Sequence, residues 1–420
     1  MSQKYYPPIV VNNERMLIDG CDLEEIAKGF GTPLYVTSSN RIRENFERLR
    51  KALSNNFKNF EIKYAVKANS NPHIISVFSK LGSGADVSNL NELNLALKGG
   101  IPFERIMLTS NNLHQSEMDE IAKQNIAINF DDIGQLERMK AKLPDLISFR
   151  LNPGTGHGYF PGITTGGVKT KFGILEDQIL DAYRKAKDLG VKRFGFHYME
   201  GSGILDSQVF RNTFSKAMEV MLRIQEKLDI EFEFIDAGGG LGVPYRPEEE
   251  PLDIAEVFSA FRSVFDKNKV GNENLKIIIE PGRYLVADTT VLIGQITNIK
   301  NSSEFFVGTD IGMSTLLRPA LYGAYHEISL VNKFIGENGP KCTVVGPVCE
   351  TSDIIGVDRL LPDPEIGDLI IVYNTGAYGY SMSSQYNGNV RPAEVMIVNG
   401  APKLIRMRET FQDLISKVTP

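Results

Sequence analysis

Cysteine is scarce: Cys21, Cys342 and Cys349 are the only three in 420 residues. So small and odd a number excludes a disulfide framework and fits a reducing cytosol. Positive charge is also short. Lys and Arg total 46 against 52 Asp and Glu, a formal net charge of -6, so no basic field exists to attract nucleic acid. No uninterrupted apolar run reaches the roughly 18 residues of a membrane span. The opening MSQKYYPPIVVNNERMLIDG lacks a basic segment followed by a long apolar one, so no signal peptide is expected. CxxC, HExxH and clustered His/Cys patterns are missing, so no metal site is expected, and without GxxxxGK[ST] neither is an NTPase.

What is present is a soluble, core-forming composition, 42% hydrophobic and 23% charged. Short apolar runs alternate with helical patterns from about residue 60 to 284. The expected strands are Glu61–Val66, Gly84–Ser88, Arg105–Thr109, Ile126–Phe130, Leu146–Leu151, Arg193–Tyr198, Phe232–Ala237 and Lys276–Glu280. Eight strand–helix units suggest a closed parallel (β/α)8 barrel, which takes about 250 residues. A doubly wound open sheet is the alternative. After Tyr284 the rhythm changes to turn-separated strands: Thr290–Ile299, Phe305–Thr309, Glu327–Leu330, Cys342–Val345, Leu369–Val372 and Glu394–Val398. The expected organisation is an α/β barrel over residues 37–284 and a second, mostly antiparallel β domain from residues 1–36 plus 285–420.

Barrel enzymes carry their chemistry at the C-terminal ends of the strands. Lys67 follows the first strand, in YAVKAN. Partial loss of water there favours a nucleophilic amine suited to an aldehyde cofactor, although a lone strand-end lysine is usually just solvated. Asp236-Ala237-Gly238-Gly239-Gly240-Leu241-Gly242 follows the seventh strand; consecutive glycines let backbone N–H groups approach a phosphate, or merely make a turn. Glu280-Pro281-Gly282-Arg283 follows the eighth, offering a carboxylate for a pyridine nitrogen and a cation for a phosphate, or an exposed ion pair of little energy. The sixth strand ends in His197-Tyr198-Met199-Glu200-Gly201-Ser202, where Ser202 can donate to phosphate and His197 is read as packing. The fifth ends in Arg150-Leu151-Asn152-Pro153, followed by a Gly-rich loop that could close over a ligand. Each signal is weak alone. Together they describe a lysine-bound, phosphate-bearing cofactor, pyridoxal 5'-phosphate.

YAVKAN, GADVSNLNEL, INFDD, RLNPG, TGGVKTKFGI, DAGGGLG, EPGR, GMSTLLRPALYGAYHEI, GPVCETSD and GAYGYSMSSQYN stand in one order along nearly the whole chain. As a set they resemble the diaminopimelate decarboxylase family, pyridoxal-phosphate enzymes of the alanine-racemase-like barrel class. The resemblance implies that Lys67 carries the cofactor and that Asp86 lines its ring pocket. Glu280 would pair with the ring nitrogen. Gly238, Gly239 and Gly240, with Ser202 and Arg283, would hold the phosphate, Gly282 would belong to the cofactor site, and Tyr378 would lie near phosphate and substrate. Arg283, Arg318 and Tyr322 would bind the carboxylate at the non-reacting, L-configured end of an amino-acid substrate, Glu350 its distal ammonium, and Cys349 would return a proton after carbon dioxide leaves. It also implies a homodimer with composite active sites. Without the resemblance, Cys349 reads as inert and Arg318 as a loop residue.

The sequence departs from the family in two places. Where the family reads close to HxHxGS, with the second histidine stacked on the ring, this chain has Met199. A thioether can pack on an aromatic face but carries no charge. The segment Thr109–Leu113 also lacks the family's His-Gly-Asn-type run. Arg318 favours a substrate with a second carboxylate. A sister decarboxylase acting on D-lysine, D-ornithine or a carrier-linked amino acid is the alternative that Met199 leaves open, and a racemase or a non-catalytic cofactor-binding barrel fits less well.

Overall fold

The computed structural model describes residues 6–124, 126–139, 142–160, 162, 164–167, 169–268, 274–333 and 339–419. The chain divides into two compact units, one of Asn45–Pro244 with Glu250–Tyr284, the other of Met1–Glu44, Tyr245–Glu249 and Leu285–Pro420.

In the first unit eight parallel strands close into a barrel. In chain order they are Phe60–Ala65, Gly84–Val87, Ile106–Ser110, Ala127–Phe130, Leu146–Leu151, Arg193–Tyr198, Phe232–Asp236 and Lys276–Ile279. All eight expected strands are present, and the closed barrel replaces the open-sheet alternative. Polar caps start the intervening helices: Asn89 accepts from the Glu92 amide and Asp253 from the Ala255 and Glu256 amides.

Alternation along each strand sorts side chains by face. Tyr64 turns outward and stacks on Phe78 of helix Pro72–Lys80, with ring centroids 4.1 Å apart. Phe149 and Phe196 turn outward onto Tyr183 of helix Ile179–Asp188. The residues between them therefore face the barrel interior. Met107, Phe234 and Ile278 form an apolar cluster there, with Ala127 and Leu146 against it. Further along the strands the inward row turns polar. Ser148 donates to Asn129 Oδ1 at 2.9 Å, and the register places Arg150 beside His197 and His197 beside Asp236. The apolar floor leaves the polar row at the C-terminal mouth.

The second unit is built on a nine-stranded, mostly antiparallel sheet whose central pairing sets Thr290–Asn301 between Phe305–Thr309 and Leu34–Ser38. A three-stranded sheet, Ile9–Asn12, Arg15–Ile18 and Cys21–Asp22, comes from the N-terminal segment. Buried aliphatics cover both faces of the larger sheet, Val36, Val291, Ile293 and Val395 on one and Leu292, Ile328, Ile370 and Val372 on the other. Two strands escaped the sequence pattern, Ile354–Leu360 and Ala401–Arg406. The latter is an exposed edge carrying Pro402 and Lys403, residues that an edge tolerates and that erase apolar alternation.

Candidate active site

Register builds the mouth of the barrel. Lys67 lies in a short 3₁₀ turn, Val66–Ala68, directly after the first strand. Its Nζ meets Asp86 Oδ2 at 2.6 Å. The lysine side chain is 46% exposed and that of Asp86 only 1%, so the expected desolvation of Lys67 is slight and the buried carboxylate is what fixes the amine. Burial, then Glu280, pushes the Asp86 carboxyl up to about 6 against the pull of Lys67. Its other oxygen, Oδ1, is buried and has no hydrogen-bond partner among the described residues.

Glu280 sits past the eighth strand, 6% exposed, and its Oε2 lies 3.2 Å from His197 Nε2. Burial pushes the His197 pKa down against the pull of Glu280; a carboxylate accepts, so Nε2 carries the hydrogen donated to it. Burial opposes charge on Glu280 as well, but His197, Lys67 and Arg150 outweigh it and hold the carboxyl below its ordinary range. Glu280 is thus a buried anion, and its Oε1 has no partner among the described residues. Asp236 is the counterpart. Burial and then Glu280 push it well above the usual carboxylate range, and its Oδ1 accepts the Gly238 amide at 2.8 Å. Ligand atoms of His197, Asp236 and Glu280 fall within 4.8 Å of one another, a spacing that a metal ion could use. Lys67 and Arg150 supply positive charge to this group, which disfavours a further cation.

The glycine run is held from both sides. Gly238 has φ 63°, in the left-handed region, and its carbonyl accepts the Glu280 amide at 2.7 Å. The Gly239 amide donates to Met199 Sδ at 3.2 Å. Met199, which the resemblance sets where the family has its ring-stacking histidine, contacts the glycine run through its sulfur. Arg283 Nη2 donates to Ser202 Oγ at 3.3 Å, which brings these two predicted phosphate ligands together. Gly282 lies where a Cβ would come within 2.9 Å of the Ala68 Cβ, next to Lys67. Gly201–Ser202 also pairs in parallel with His157–Gly158 of the Gly-rich loop. The carboxylate of Glu200, 4% exposed, takes His157 Nδ1 at 2.5 Å and the Thr213 hydroxyl at 2.7 Å.

The remaining predicted residues belong to the other unit. Arg318 opens the short helix Arg318–Tyr322 and is 2% exposed, so it is no surface loop residue. Tyr322 is half-buried at the end of the same helix. Cys349 and Glu350 are exposed, and Glu350 Oε2 accepts the Tyr386 hydroxyl at 2.9 Å. Tyr378 has φ 58°, a left-handed backbone uncommon for a bulky residue. Sequence reasoning set His197 aside as packing and gave no role to Asp236 or His326. His326 stands in the quoted GMSTLLRPALYGAYHEI segment, eight residues after Arg318.

A family model described as the pyridoxal binding domain of pyridoxal-dependent decarboxylases matches residues 39–287. The chain is 42% identical to the diaminopimelate decarboxylase of Methanothermobacter thermautotrophicus over 98% of its own length and 97% of the relative's. It is also 42% identical to that of Thermoplasma acidophilum, over 96% of each. The chain belongs to the diaminopimelate decarboxylase family. The solved structure of the M. jannaschii family member in complex with L-lysine superposes with a TM-score of 0.91 at 32% identity, covering 99% of this chain and 98% of that one.

This is a decarboxylase, and its cofactor is pyridoxal 5'-phosphate. The residues fit that group. Lys67 offers an amine fixed by Asp86. Glu280 is anionic and directs a buried oxygen with no described partner, which suits a protonated ring nitrogen. Ser202 and Arg283, joined by a hydrogen bond, together offer N–H and O–H donors that suit a phosphate. No helix among the described residues is long and apolar enough to cross a membrane.

Proposed function

We propose that this chain removes the carboxylate from the D-configured centre of meso-2,6-diaminopimelate, releasing carbon dioxide and L-lysine, as the last step of lysine biosynthesis in the cytoplasm. The observation that carries this reading is likeness beyond the cofactor-binding segment. The family model ends at residue 287, whereas similarity to diaminopimelate decarboxylases runs over 98% of the chain and takes in the Arg318–Tyr322 helix. Three cysteines with no disulfide among them fit a reducing compartment.

Pyridoxal phosphate, when bound, supplies an electron-withdrawing ring that takes up the electron pair left by a departing carboxylate. Lys67 holds the cofactor, and Asp86 fixes the lysine. Glu280 would accept the ring N–H and keep that proton in place, with His197 holding the carboxylate through Oε2. Gly238, Gly239 and Gly240, with Ser202 and Arg283, would hold the phosphate, Gly282 would line the cofactor site, and Tyr378 would lie near the phosphate. Arg318, with Arg283 and Tyr322, binds the carboxylate at the L-configured end of the substrate, where an arginine fork makes a two-point contact. Glu350 takes the distal ammonium. The Cys349 thiol delivers the proton to the carbon that has lost carbon dioxide. The exposure of Cys349, Glu350 and Tyr386 supports a homodimer in which these residues serve the neighbouring copy.

The test is incubation of the cofactor-loaded protein with meso-diaminopimelate and, separately, with D-lysine, D-ornithine and L-lysine. Carbon dioxide is measured and the amino product resolved by chirality. L-Lysine from meso-diaminopimelate, with little turnover of the others, is the expected result. Turnover of D-lysine or D-ornithine in place of diaminopimelate moves the chain to the sister decarboxylases and removes the role given to Arg318.

A further inference from the structure

The only histidine near Arg318 in sequence is fully buried. His326, 0% exposed, precedes the strand Ile328–Leu330. Its Nδ1 lies 2.8 Å from the Tyr373 carbonyl oxygen, and its Nε2 lies 2.7 Å from Arg318 Nη1. These two contacts decide the proton. A carbonyl only accepts, so Nδ1 carries hydrogen. A guanidinium only donates, so Nε2 must be bare. His326 is therefore a neutral imidazole in one tautomer, and a second proton would set N–H against N–H.

Arg318 is held on a second side. Its guanidinium carbon lies 4.5 Å from the Tyr245 ring centroid, and Tyr245 also meets His326 edge-on with centroids 5.3 Å apart. The imidazole fixes the edge of the planar group and the phenol ring its face. The anchor flanks paired strands: the Tyr373 amide donates to the Glu327 carbonyl at 3.0 Å, the Tyr373 hydroxyl lies 3.0 Å from the Ser329 hydroxyl, and the adjoining strands Ile328–Leu330 and Leu369–Val372 pair at Ile328 and Val372. A fork that must meet a carboxylate with two parallel N–H groups loses the contact if it rotates, and supports anchored next to paired strands limit that rotation.

We infer that His326 is a positioning residue for substrate selection: by accepting from Arg318, it holds the guanidinium in the orientation that favours ligands with a second carboxylate. The inference rests on the reading of Arg318 as the carboxylate-binding cation. The two are tested together on the cofactor-loaded enzyme with L-lysine and cadaverine, which differ only in that carboxylate. Dissociation constants for both are measured by calorimetry, alongside the thermal midpoint, for wild type, His326→Asn, His326→Gln and Arg318→Gln. Asn can still donate to the Tyr373 carbonyl but offers Arg318 no acceptor, whereas Gln places an amide oxygen near the lost Nε2.

The expected result for His326→Asn is L-lysine binding weakened at least about tenfold, as for loss of a hydrogen bond to a charged group, with cadaverine unchanged within about twofold. His326→Gln is expected to recover most of the difference. Should the Asn variant not fold, Tyr245→Leu frees the other side of the clamp and is expected to lower the same ratio. An unchanged L-lysine to cadaverine ratio in His326→Asn (or in Tyr245→Leu, if that variant stands in), while Arg318→Gln loses it, overturns the inference and leaves the Arg318 reading intact. An unchanged ratio in Arg318→Gln overturns both.

Discussion

Two buried carboxyls at the barrel mouth are pushed in opposite directions from the ordinary carboxylate range, and the difference lies in their neighbours. Glu280 is kept anionic by His197, Lys67 and Arg150, while Asp236, with Glu280 beside it, is pushed well up. Asp86 falls between, with burial and Glu280 moving it from the ordinary 3.8 to about 6. A raised carboxyl pKa means that the folded chain grips the proton more tightly than the unfolded one. The associated stability is fully present below about pH 4 and is lost as pH rises through about 6. Asp86→Asn mimics the protonated form. In cofactor-free protein it should flatten this part of the pH–stability curve, by on the order of 2–3 kcal/mol between pH 4 and 7. Denaturant midpoints of both proteins across that range check it, and parallel curves would show that Asp86 does not titrate there. The residue itself was legible through the resemblance. Its charge state was not, because Glu280 lies almost two hundred positions away in the chain and reaches it only through barrel closure.

Among the elements, the barrel strands read most clearly, since strands covered on both faces leave short, nearly continuous apolar runs. The strand Ala401–Arg406 did not, because it is an exposed edge with little to alternate. The glycine run was visible as three letters, but its tolerance is set by what lies opposite. A Cβ on Gly239 would stand 2.5 Å from the Glu280 carbonyl oxygen, a backbone atom with little freedom to yield. Gly239→Ala should therefore displace the run and weaken pyridoxal phosphate at least about tenfold, while pyridoxal, which lacks the phosphate, loses less. Absorbance titrations of both aldehydes make the comparison. Equal losses would mean that the substitution disturbs the whole mouth rather than the phosphate end.

For the molecule as a whole, the proposed sharing of sites between copies has a direct consequence. Lys67→Ala and Cys349→Ala should each abolish or strongly slow turnover alone. If Cys349 serves the neighbouring copy, subunits of the two variants reassorted in equal amounts should recover about a quarter of wild-type activity, since half of a random set of two-fold dimers is mixed and one site in each mixed dimer is intact. Light scattering gives the mass and a decarboxylation assay the recovery. A dimer that regains nothing would place Cys349 and Lys67 of one site on the same copy.

The sequence alone determined the strand–helix alternation, the polar residues at the strand ends and the motif order that marks the family, because each is encoded within a few neighbouring positions. Tertiary structure decided the rest. Closure and register bring Arg150, His197 and Asp236 side by side and set His197 against Glu280. The fold of the second unit brings Tyr245, Arg318, His326 and Tyr373 into one relay. Burial and long-range charge fix protonation states, and those depend on which distant groups share a low-dielectric interior, information that no local stretch of chain contains.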